Sequence, residues 1–194
     1  PGVFYQGENI FYRFNHQLFR KEIYCDTIFS FKNELFKHHM VIHVGKQRLT
    51  PDIRSDFQTR PDFSETTHHN YITPFNLFEF GDHIYYEMVM TLNGIRNLYS
   101  FIGSKKGSLR AVYITELGLT NDLDGGANFW PRTIINDSTC VSWIEALKLK
   151  EYIASDEFKE SNPKFPEKKK ELEKLANSLK ETDNPVLVLV RLKK

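Results

Sequence analysis

Residues 76–114 constrain the fold more than any other stretch, because apolar side chains there alternate with period two between short turn signals. Residues 76–80 read as a strand, and Gly81-Asp82 as a two-residue turn. The next strand, 83–90, carries Ile84, Tyr86, Met88 and Met90 on one face. Asn93-Gly94 lies in a second turn, 97–103 is a third strand, Ser104-Lys-Lys-Gly107 is a third turn and 109–114 a fourth strand. Period-two alternation belongs to strands, and turns this short join antiparallel neighbours. The prediction is a four-stranded meander. One such sheet cannot bury both faces alone, so it requires neighbours.

The flanking segments supply them. Residues 9–14 place Ile10, Tyr12 and Phe14 on one face, residues 26–31 pair Phe29 with Phe31, and residues 35–44 alternate again. Asn15-His16-Gln17 and Lys32-Asn33-Glu34 are polar breaks suited to hairpins. Residues 3–44 therefore read as one four-stranded unit and 74–116 as a second. Between them, 45–73 lose all periodicity around Pro51 and Pro61, with one helical turn near 52–57. A connection this long is functional or lies on an exposed face. The last third differs. A short apolar strand at 139–144 precedes an amphipathic helix over 166–180, with Leu172, Leu175, Ala176 and Leu179 on one stripe. Pro166 suits the first turn, and Asn184-Pro185 stops the helix. Val186-Leu-Val-Leu-Val190 is apolar on both faces and reads as a strand buried between layers. Residues 130–146 and 186–193 form a partial last unit. The expected class is predominantly all-β, and repeated four-stranded meanders point to a β-propeller of about two to three blades in a single domain.

Composition narrows the function classes. Aromatic residues make up 14% of the 194-residue chain, which favours strands. The 26 basic and 25 acidic side chains nearly cancel. Bulk-charge binding to nucleic acid and polybasic membrane docking are therefore excluded. No apolar run approaches the roughly 20 residues of a membrane helix. The chain opens on Pro1 without a visible signal peptide, so processing from a longer protein is expected. Cys25 and Cys140 make no disulfide framework and read as two free thiols.

Several stretches resemble the C-terminal half of a bacterial six-bladed β-propeller family of uncharacterised proteins. They are Asp26-Thr-Ile-Phe29, Leu98-Tyr-Ser-Phe101 with Ser104-Lys-Lys-Gly107, and Gly118-Leu-Thr-Asn-Asp-Leu-Asp-Gly-Gly126 followed by Phe129-Trp-Pro131. In the tail they are Leu149-Lys-Glu-Tyr152, Ser155-Asp-Glu-Phe158, Asn162-Pro-Lys-Phe-Pro-Glu-Lys-Lys-Lys170, Leu175-Ala-Asn-Ser178 and Asn184-Pro-Val-Leu187. The resemblance covers nearly the whole chain, most closely from Gly118 onward. It implies an exported protein or lipoprotein of the Gram-negative envelope, periplasmic or at the cell surface. It supplies no activity and no catalytic residue. A propeller needs about four to eight blades to close. The chain then reads as half of a longer protein, or as a fragment that self-associates to complete a ring.

Candidate sites are few. Asn121, Asp122 and Asp124 offer clustered oxygens of the kind calcium prefers. They lack the full calcium-loop pattern, and Asx residues beside Gly125-Gly126 more often build a turn. No other cofactor is implied. His38 and His39 are adjacent and point to opposite faces. His39 and His43 share a face but lie about 13 Å apart, too far for one ion. His68 and His69 sit in the long connection near Asp62 and Glu65, as solvated histidines or as ligand contacts. Phe129 and Trp130 are either a binding platform or packing. Cys140 in Thr139-Cys-Val-Ser142 reads as core, and Cys25 lacks an activating cation. Lys168, Lys169 and Lys170 interleave with Glu167, Glu171 and Glu173, a solvated helix face.

No catalytic set emerges. The leading expectation is a non-catalytic binding propeller whose partner is a small molecule, glycan or protein. A purely structural fragment comes second. A metal-dependent hydrolase or lactonase, by analogy with other propellers, comes third.

Overall fold

The computed structural model describes residues 8–53, 55, 71–92, 94–106, 111–114 and 118–191. The chain divides into two compact units, Pro1–Tyr113 and Ile114–Lys194. Strands dominate, in three antiparallel sheets.

In the first unit, β1 (Asn9–Phe14), β2 (Gln17–Glu22), β3 (Thr27–Lys32) and β4 (Leu35–Val41) form a meander in sequential order. β2 escaped the alternation rule because Arg20, Lys21 and Glu22 make it read as polar. Its Phe19 and Lys21 are nevertheless buried. The β1–β2 and β3–β4 hairpins turn on Asn15-His16 and Asn33-Glu34, all four in the left-handed region. Two consecutive left-handed residues match the right-handed twist of the flanking strands. A bulge between Ile28 and Phe29 leaves His39 without a ladder partner, while His38 pairs with Phe29. The two histidines accordingly part. His38 meets the Phe29 ring at 5.1 Å, and His39 meets Phe19 at 4.6 Å.

The second sheet runs β5 (Thr73–Phe80), β6 (His83–Leu92), β7 (Ile95–Ser104) and β8 (Ala111–Ile114), again in sequential order. Its β6 strand is longer than the alternation indicated, and Tyr85, Tyr86, Glu87 and Met88 are all buried. The two sheets join through Glu79, which is only 1% exposed. Its Oε1 accepts hydrogen bonds from the Tyr12 hydroxyl and His39 Nε2, both at 2.7 Å, and its Oε2 from Lys105 Nζ at 2.8 Å. Lys105 Nζ also sits 3.8 Å from the centre of the Phe14 ring. A buried carboxylate is tolerated only when it is paired and hydrogen-bonded in this way.

The second unit holds β9 (Thr133–Ile135), β10 (Thr139–Ile144) and β11 (Val186–Arg191), ordered β11-β10-β9. Between β10 and β11 lie α1 (Ala146–Ala154), α2 (Asp156–Glu160) and α3 (Pro166–Ser178). The sequence reading found only the last of these helices. Ser155 caps α2 by accepting from the Phe158 N–H, an N-cap signal that was legible in the chain.

Two expectations are corrected here. β11 is not buried on both faces. Leu187 and Leu189 are 63% and 59% exposed, whereas Val186, Val188 and Val190 are half-buried. β11 lies at the sheet edge, and Val186 and Val188 line a pocket with Leu149 of α1 and Leu172 of α3. Among the described residues nothing covers the leucine side. The α3 stripe is also narrower than expected, since Ala176 is fully buried but Leu175 is 42% exposed.

Candidate functional site

The second unit gathers most of the side chains singled out from the sequence. Asn121, Asp124, Phe129 and Trp130 line a pocket of about 210 Å³ with Arg132 and Trp143. The polar members are already committed. Asn121 Nδ2 donates to Asp124 Oδ1 at 2.7 Å, and the Gly126 N–H donates to the same oxygen at 2.9 Å. Asn121 Oδ1 accepts from the Leu123 N–H at 3.2 Å. Asp122 is exposed, and its carbonyl accepts from the Lys164 N–H at 2.8 Å. A Cβ on Gly126 would stand 3.0 Å from both Asn121 Nδ2 and Asp124 Oδ1. Glycine is what lets this turn close. Tyr152 of α1 then donates to the Gly125 and Gly126 carbonyls. The Asn121 and Asp124 side chains thus tie an Asx turn, which meets α1 through Tyr152 and the approach to α3 through the Asp122 carbonyl. No group of three or more His, Cys, Asp or Glu able to hold a metal occurs among the described residues.

Phe129 is buried, and its backbone bridges Leu119 in both directions. Trp130 is half-buried against Gly118, whose Cβ position lies 3.3 Å from Trp130 Cε3. Trp143 is exposed, with the Arg132 guanidinium 5.8 Å from its ring centre. His68 and His69 lie outside the described residues. Both cysteines are free, and burial pushes the Cys140 thiol up to about 11. That keeps it protonated and inert at neutral pH.

The first unit contains a larger cleft that the sequence reading did not assemble. About 330 Å³ in volume, it is bounded by Met40, Ile42 and Val44 on one side and Ile84, Met88 and Phe101 on the other. Tyr86 and His43 also line it. On β6, Ile84, Tyr86 and Met88 share the face that carries the cleft wall, as period two dictates. Tyr86 is 5% exposed, and its hydroxyl has no hydrogen-bond partner among the described residues. Burial, and then the Asp26 charge, push its phenol well above the ordinary value. Asp26 Oδ2 lies 3.3 Å from His43 Nδ1 and 3.7 Å from an Arg48 guanidinium nitrogen, while Oδ1 is buried without a hydrogen-bond partner among the described residues. Lys21, 2% exposed, donates to the Glu22 and Cys25 carbonyls and feels the same carboxylate. Desolvation lowers its amine to about 8.

The sequence did carry a faint signal for this place. Tyr86 is the one polar tip on a strand face otherwise made of Ile84, Met88 and Met90. Asp26, His43 and Arg48 converge only through the β3–β4 pairing and the turn that follows it.

These features define a predominantly all-β protein of short antiparallel meanders whose first unit holds a mainly apolar cleft lined also by Tyr86 and His43. The family model described as Domain of unknown function (DUF4934) matches residues 1–191, and the chain belongs to that family. The fold is similar to the crystal structure of a Bacteroides fragilis protein whose description as exported is provisional. The TM-score is 0.60 at 17% sequence identity, over 95% of this chain and 49% of that one. The chain thus spans about half the length of that relative. No curated protein matches it. No described helix is long and apolar enough to cross a membrane.

Proposed function

We propose that this chain is a non-catalytic binding module of the bacterial cell envelope, part of a β-propeller, that takes an apolar small molecule in the cleft of its first unit. The observation that carries this reading is the cleft itself. Its volume, about 330 Å³, falls at the lower end of the range for small-molecule sites, about 300–1,000 Å³. Its walls are aliphatic and aromatic, with a single buried hydroxyl. Two successive four-stranded meanders support the propeller reading. The exported description of the Bacteroides relative supports the envelope, as a surface lipoprotein or a periplasmic protein. Exposed apolar side chains, Phe11, Phe31 and Phe36 in the first unit and Leu187 and Leu189 in the second, support self-association.

The test uses N-phenylnaphthylamine, a neutral fluorescent probe, titrated into the purified chain. Binding should saturate and should be lost in Ile42→Trp and Val44→Trp, which fill the cleft. Trp143→Ala, in the other unit, should leave it intact. Binding untouched by both fillers, in variants that melt as the parent does, would overturn the reading.

A further inference from the structure

Period two places Cys140, Ser142 and Ile144 on one face of β10, and Ser142 brings the one hydroxyl of that face. It stands opposite Val188 of β11 and lines the second-unit pocket of about 210 Å³. Ser142 is only 6% exposed. Asn121 and Asp124 are spent on their turn, but the Ser142 hydroxyl makes no hydrogen bond among the described residues. Nor is it sealed off. The fully enclosed side-chain oxygens without a partner are Asp26 Oδ1, Tyr86 Oη, Glu87 Oε2 and Thr91 Oγ1, and Ser142 Oγ is not one of them. A hydroxyl with open surface on a pocket wall both donates to and accepts from whatever enters.

The remaining walls set the kind of molecule. The chain has two tryptophans, and both line this pocket. Trp130 is half-buried and Trp143 is 48% exposed. The negative face of an indole attracts C–H groups polarised by neighbouring oxygens. Asn128 is exposed on the same lining, and its Oδ1 accepts from the Asn121 N–H at 3.4 Å, which leaves its amide nitrogen to donate. Asp124 and Arg132 are the charged side chains of the lining, one of each sign, so the pocket does not call for an ion. Its volume falls below the roughly 300–1,000 Å³ of drug-sized sites, which suits one ring rather than a long molecule. A pyranose combines these properties: a C–H face for an indole, hydroxyls around its edge, and no charge.

We propose that the second unit binds one neutral pyranose unit, free or at the end of a glycan, against its tryptophans and hydrogen-bonded by Ser142. This site is separate from the first-unit cleft and does not rest on it.

Because both tryptophans line the pocket, their emission reads it directly. The experiment titrates methyl glucoside, methyl galactoside, methyl mannoside, maltose and lactose into the purified chain. At least one should change the emission saturably, with a Kd on the order of 1 mM. Tighter binding of a disaccharide assigns a glycan, and equal binding a single sugar. Ser142→Ala should weaken the bound probe about tenfold, the scale of one hydrogen bond. Val188→Phe, which fills the pocket, should abolish binding. If Val188→Phe does not fold, Ser142→Ala carries the test alone, since it removes no described hydrogen bond of the fold. The inference is overturned if no saccharide gives a saturable change, if Ser142→Ala binds as the parent does, or if glucuronate binds more tightly than methyl glucoside. Adenosine binding where no sugar does would overturn it as well. Failure of N-phenylnaphthylamine to bind, in its own titration, strikes the first-unit reading alone.

Discussion

The pocket of the second unit and the cleft of the first differ in what their polar atoms are doing. Around Asn121 and Asp124 each described side-chain oxygen contact holds a backbone N–H or another side chain of the same turn. Around Tyr86 and Asp26, a hydroxyl and a carboxylate oxygen are buried with no hydrogen-bond partner among the described residues. Polar groups consumed by architecture hold the fold together, whereas a buried polar group without a partner costs it stability. Residue type alone does not separate the two cases. The Asn-Asp-Gly cluster reads in sequence as a turn before a calcium site, and its described contacts in space are those of a turn.

Three measurements press on this contrast. The largest effect is expected from pH at Lys21, whose amine feels the Asp26 carboxylate. Lys21 is held at about 8 in the fold against an ordinary 10.5. Over that interval the unfolded chain binds the proton that the folded chain has released, so stability should rise as pH climbs from 8 towards 10.5. The gain is on the order of 1–3 kcal/mol. Chemical denaturation at pH 8 and pH 10 should show it in the parent and not in Lys21→Met. A rise of equal size in both would mean that the amine is not held down.

Next is the turn. Asp124→Ala leaves the Asn121 amide and the Gly126 N–H unpartnered and should cost about 1–2 kcal/mol. The loss should be the same with and without a chelator. A melting temperature that falls in the chelator for the parent alone would restore an ion to this turn and weaken the contrast.

The smallest effect has the opposite sign. Tyr86→Phe removes a buried hydroxyl that has no described partner and should leave the ligand-free protein unchanged or up to about 1 kcal/mol more stable. Thermal denaturation of the purified variant checks this. A clear destabilisation would show that the hydroxyl already has a structural partner, and the two regions would then be alike.

The strands themselves were legible where the residue pattern between turn signals was strong, even with both faces buried. Residues 83–90 and 139–144 alternate or carry β-branched runs between turn signals, and both lie in strands. β2 was hidden because its inward residue Lys21 is charged. The helices α1 and α2 were missed although Ser155 carries a cap signal, because short helices offer few periods to count. Phe129 and Trp130, for which the sequence left a binding platform and packing both open, line a pocket of the second unit, and the cleft at Tyr86 drew no attention from sequence.

The sequence by itself determined local geometry. Asn15-His16 and Asn33-Glu34 fix two hairpins, Gly126 permits a tight turn, and period-two alternation sets which side chains share a face. These depend on residues a few positions apart. The tertiary structure alone decided which faces are covered and which polar groups find partners. Glu79 meets Tyr12, His39 and Lys105 across as many as 67 positions, and Val186–Arg191 is half-covered because its valine face alone shares a pocket with Leu149 and Leu172. Burial and hydrogen-bond satisfaction are properties of assembled surfaces, and the pattern along one strand does not contain the surface that will meet it.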